Sequence, residues 1–84
     1  MAWKLGQDSF TVCRVKWIDG KKGTFYSYDW VHRFSKQRDR EKGIRGLRKL
    51  IAEWGARAEI AGIFENDGKK TKPFEYYEYG TKIY

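Results

Sequence analysis

Eighty-four residues set a single domain near the small end for folding alone, where roughly 60–65% of the unfolded chain's surface is buried. Eighteen Lys and Arg against eleven Asp and Glu leave a net charge of +7, and a single cysteine, Cys13, excludes an internal disulfide and a cysteine-based metal site. No stretch approaches the length of a membrane span and the N-terminal residues lack the apolar run of a signal peptide, so the expectation is a soluble cytoplasmic protein with no membrane partner.

Residues 9–19 read as a first strand. Thr11, Cys13, Val15 and Trp17 share one face, which looks buried; Phe10, Val12, Arg14, Lys16 and Ile18 share a mixed face. Two glycines in 19–23 predict a hairpin turn, and residues 24–28 the returning strand. Asp29 is read as a helix N-cap, because its short carboxylate can accept from free backbone N–H groups. Trp30 and Phe34 follow at i, i+4. The pattern then stays helical to Trp54, with a polar stretch at 35–43 as a kink or loop and Ser35 and Asp39 as caps for a second start.

The second half of that segment is clearer. Ile44, Leu47, Leu50, Ile51 and Trp54 form an apolar stripe, and Gly55 stands where a helix stops. Residues 57–64 read as a third strand with Ala58, Ile60, Gly62 and Phe64 on one face. Residues 66–73 are turn-rich. Residues 74–79 form a fourth strand whose alternation is disturbed at Tyr76 and Tyr77, the mark of a bulge. The expected architecture is α+β, in the order β-β-α-β-β, with an antiparallel sheet packed on one long or broken helix across residues 1–84.

Charge is concentrated. Residues 33–49 hold eight basic and two acidic side chains, a net +6 against +7 for the whole chain. Arg38, Lys42, Arg45 and Lys49 recur at i, i+4, i+7 and i+11, which on a helix stacks them within about 60°, nearly opposite the apolar stripe. A solvated face usually mixes signs, because opposite charges at i, i+4 stabilise a helix; a uniformly positive stripe repels itself and points to a polyanionic partner.

The nucleic-acid-binding candidates are therefore Arg38, Arg40, Lys42, Arg45, Arg48 and Lys49, with Lys21, Lys22, Lys69 and Lys70 at the turns as outer contacts. Four to six phosphate contacts would weaken binding by roughly 10²- to 10³-fold between 50 and 200 mM salt.

Fifteen aromatic residues exceed what so small a core needs. Tyr26, Tyr28, Phe74, Tyr76, Tyr77, Tyr79 and Tyr84 could stack on bases or pack across strands. Glu75 and Glu78 flank Tyr77 and Tyr79, and an acidic edge repels phosphate, so Tyr76, Tyr77 and Tyr79 are candidates for protein contact. His32, three residues after Asp29, is the single candidate base for a small ribonuclease. Cys13 reads as a small core residue.

Metal-ligand spacing, phosphate-cradling glycine motifs, the aromatic RNA-recognition signature and zinc-finger spacing are all absent from the chain. No catalytic site, metal or cofactor is expected. The leading expectation is a small, basic, non-enzymatic nucleic-acid-binding protein, for DNA or RNA. The alternative is a small protein-binding inhibitor or adaptor, of the kind phage or mobile elements encode, docking on an acidic or nucleic-acid-handling surface. An exposed fourth strand would also admit pairing with its copy as a homodimer.

Overall fold

The computed structural model describes residues 9–31, 37–66 and 72–84. Strand β1 (Thr11–Trp17) turns back into β2 (Lys22–Tyr26) through a tight connection in which Gly20 takes φ +90°. Such a conformation is open to glycine at little steric cost. The second strand begins earlier than residue 24 and ends earlier than 28, because Ser27 and Asp29 are committed elsewhere.

Helix α1 (Arg40–Trp54) follows, then a 3-10 turn (Gly55–Arg57), β3 (Ala58–Glu65), β4 (Glu75–Glu78) and a short β5 (Thr81–Lys82) that the sequence pattern does not announce. The strands form one antiparallel sheet in the order β2-β1-β3-β4-β5. The helix lies across one face, so the expected α+β architecture is present. Among the described residues, no helix is long and apolar enough to cross a membrane.

The core sits between helix and sheet. Cys13 and Val15 of β1, Ala61 and Ile63 of β3, and Tyr77 of β4 meet Leu47 and Ile51 of the helix. At the helix C-terminal end, Trp54 packs on Phe25 (centroids 4.9 Å apart) and edge-on to Trp17 (5.8 Å). Gly55 closes the helix at φ +54°, and its N–H donates to the Ile51 carbonyl. The apolar stripe, the inward face of β1 and the stop at Gly55 are thus as the periodicity implies.

Three local expectations are corrected. First, Asp29 caps no helix among the described residues; of the expected caps it is Asp39 that starts α1, accepting from the N–H groups of Glu41 and Lys42. Asp29 is instead fully buried, accepting from the Phe10 N–H at 2.7 Å and the Ser27 hydroxyl at 2.8 Å.

Second, Ala58 does not share a face with Ile60, Gly62 and Phe64. The β1–β3 register slips between Lys16 and Trp17, so Ala58 enters the core while the other three face away from the helix. Third, Tyr76 and Tyr77 pair regularly with Gly62 and Ala61, without a bulge. The expectations placed on His32, Arg33, Phe34, Ser35, Lys36, Lys69 and Lys70 lie outside the described residues.

Tyr79 and Gly80 form the two-residue connection between β4 and β5, at φ +52° and +82°. A left-handed tyrosine is strained by its Cβ, where asparagine or glycine is usual in such turns. Tyr79→Asn is expected to stabilise the fold by roughly 0.5–1 kcal/mol, read as a raised urea midpoint with unchanged slope. No gain would mean that the ring's packing outweighs the backbone strain.

Candidate nucleic-acid interface

The basic candidates around the helix do not form one free cationic face. Arg38 precedes the helix, in a bridge with Trp30, and its guanidinium lies 4.1 Å from the Phe10 ring centroid. Arg40 forms a two-pronged pair with Glu65 and lies over the Phe74 ring. Lys42 donates to the carbonyls of Trp30 and Val31 and sits 5.5 Å above Tyr28.

Arg48 grips Glu75, donating from Nε at 2.9 Å and from Nη2, while the Tyr77 hydroxyl donates to the same carboxylate at 2.7 Å. The Arg48 hydrogen bonds hold Glu75 below the ordinary carboxylate range, against the opposing effect of burial. Of the helix cations, Arg45 and Lys49 alone are exposed without a partner among the described residues. Lys21 and Lys22 are exposed at the β1–β2 turn. Tyr77 is buried under the helix, Tyr79 is exposed, and Tyr76 lies on the opposite sheet face.

That opposite face gathers cations and aromatic rings. The register places its side chains in rows. Tyr26, Val12 and Phe64 lie side by side; Thr24, Arg14, Gly62 and Tyr76 form the next row; Lys22, Lys16, Ile60 and Glu78 form the third. In the centre of the sheet, Gly62 has no side chain, and a Cβ there would lie 3.0 Å from both the Phe64 ring and Pro73.

The result is a trough of about 350 Å³, walled by Phe64, Pro73, Ile60 and Tyr76 and rimmed by Arg14, Lys16 and Lys22. Every charged residue lining it is a cation. The Arg14 guanidinium lies 5.2 Å from the Phe64 ring centre, and Tyr84 stacks against Tyr76 with centroids 5.6 Å apart. Lys16 also reaches Glu59 at 3.4 Å, and Tyr76 donates its hydroxyl to Glu78, so the trough grades from a basic side at β1 and β2 to a tyrosine–glutamate edge at β4.

Arg14, Lys16, Gly62 and Phe64 were not singled out by the sequence reading. The signals were present: Arg14 and Lys16 alternate with Cys13 and Val15, and Gly62 interrupts a strand of larger residues. Cys13 lies in the core, where burial pushes its thiol up to about 12, so it remains a thiol. Among the described residues, no cluster of His, Cys, Asp and Glu gathers as metal ligands. No family model, curated protein or solved structure matches this chain.

Proposed function

We propose that the protein binds single-stranded nucleic acid on the sheet face turned away from the helix. The observation that carries this reading is the trough itself, with its apolar, ring-bearing floor and the cations Arg14, Lys16 and Lys22 along its β1–β2 side. Aromatic rings on an open sheet take base faces, worth roughly 1–3 kcal/mol per base, and cations beside them take phosphates. The helix stripe supports a duplex-backbone role less well, since Arg38 lies outside the helix over the Phe10 ring and Lys42 already holds backbone carbonyls, while Arg40 and Arg48 beside the stripe hold carboxylates.

Lys16 already holds Glu59, so the two other rim cations, Arg14 and Lys22, give a salt slope near −1.4 for a single strand, and affinity should fall roughly sevenfold between 50 and 200 mM salt. Fluorescence anisotropy with single-stranded DNA and RNA tests the reading. Phe64→Ala and Tyr76→Ala should each weaken binding by roughly tenfold or more, with the fold retained by circular dichroism. Binding that ignores both substitutions and instead collapses in Arg45→Glu plus Lys49→Glu would return the site to the helix.

The second reading, a protein-binding adaptor or inhibitor, rests on the exposed rings and side chains of Tyr79, Ile83 and Tyr84 beside the acidic edge. Failure to bind any oligonucleotide, with capture of a stoichiometric protein partner that survives nuclease treatment, would favour it.

A further inference from the structure

Resting on that reading, we infer that the same strand continues over β2 and seats part of its sugar–phosphate backbone in the groove between α1 and β2, against Gly46. The groove holds about 160 Å³ and is walled by Tyr26 and Tyr28 on one side and by Gly46 and Leu50 on the other. Tyr26 stands in the row of Phe64 on the sheet face and also lines this groove, and β2 is an edge strand. A chain leaving the trough meets Tyr26 before it meets the helix.

Gly46 is exposed in the middle of α1, and a Cβ there would meet nothing within 4 Å. Packing therefore does not demand glycine, and the residue lowers helix stability. It leaves bare helix backbone accessible to an incoming chain. On the helix surface its neighbours at i−4 and i+3 are Lys42 and Lys49, with Leu50 at i+4. Lys49 and Arg45 have no partner among the described residues, and the Lys42 ammonium lies 5.5 Å from the centre of the Tyr28 ring that walls the groove. The helix's acids, Glu41 and Glu53, lie at its two ends. The surface around Gly46 is positive, grooved and aromatic, which suits a phosphodiester chain with bases turned toward tyrosines.

The test is Gly46→Gln, a neutral, helix-favouring side chain that fills the groove, measured with oligothymidylates of about 4 and about 12 nucleotides. The expected result is a raised Tm, an unchanged affinity for the short oligomer and a roughly tenfold loss for the long one, matched in direction by Lys49→Glu. Unchanged binding of the long oligomer would overturn the inference, as would equal losses for both lengths. If the unaltered protein binds neither length, the sheet-face reading itself fails; if it binds both and Gly46→Gln changes neither, the groove alone is refuted.

Discussion

Gly43→Ala is expected to destabilise the protein by about 3 kcal/mol or more, lowering Tm by roughly 12–24 °C. An added methyl would sit 1.8 Å from Asp29 Oδ1, 2.9 Å from Ser27 Cβ and 3.0 Å from Asp29 Cγ. The carboxylate cannot simply turn aside. It is fully buried and accepts from the Phe10 N–H and the Ser27 hydroxyl, and the Asp29 carbonyl accepts from the Asp39 N–H that leads into the helix.

Either the carboxylate gives up bonds worth roughly 1.5–3 kcal/mol each, or the helix lifts off the core. Alanine's better helix propensity returns only about 1 kcal/mol. The direct check is a urea denaturation series with a double-mutant cycle: in an Asp29→Ala background, Gly43→Ala should cost far less. Equal costs in both backgrounds would show that the clash is relieved elsewhere.

Arg48→Met should be the next most damaging change, at about 2 kcal/mol near neutral pH. Glu75 is only 5% exposed, and without the guanidinium its carboxylate keeps the Tyr77 hydroxyl alone among the side-chain partners described. The figure sits below the range for breaking a fully buried pair because the Arg48 side chain is 42% exposed and water can reach the site.

The pH dependence has a definite sign. Glu75 is held below its unfolded value of 4.5, so the pair's contribution is present above that pH and fades as pH falls through the lower, folded value. In Arg48→Met the unpaired, buried carboxyl favours protonation, so the deficit relative to the unaltered protein should shrink on going from pH 7 toward pH 4. A deficit constant over that range would mean lost packing rather than lost charge pairing. At the alkaline end, burial raises the Tyr77 hydroxyl from 10 to about 12, so its contribution is complete below pH 10 and lost as pH climbs toward 12.

The parts of the fold that repeat were legible in the sequence. The alternation of Cys13, Val15 and Trp17 and the spacing of Leu47, Ile51 and Trp54 record burial directly. The parts that depend on distant partners were not. Asp29 carries the same chemistry as an N-cap, a short carboxylate accepting backbone N–H groups, but its donor is Phe10, nineteen residues back. Arg40 and Arg48 look like members of a free cationic face because Glu65 and Glu75 are distant in the chain.

The slip at Lys16 and Trp17 reverses the phase of β3, which is why Ala58 and Ile60 end on opposite faces. The trough was hidden for a related reason. Arg14, Gly62 and Tyr76 are unremarkable singly and acquire meaning only as one cross-strand row.

The order of the strands also governs how this molecule can come into being. Its central ladder joins Thr11 to Glu65 and Trp17 to Ala58, with the whole helix spanned between them. The β1–β2 hairpin can close quickly on its own, in roughly 1–10 μs. The β1–β3 seam must wait for a much longer loop to close, and that search sets the rate. During synthesis, β1 keeps one bare edge until the chain beyond residue 58 has emerged. Over that interval Cys13 and Val15 lack Ile63 and Ala61, so an N-terminal fragment that stops short of β3 cannot complete the core.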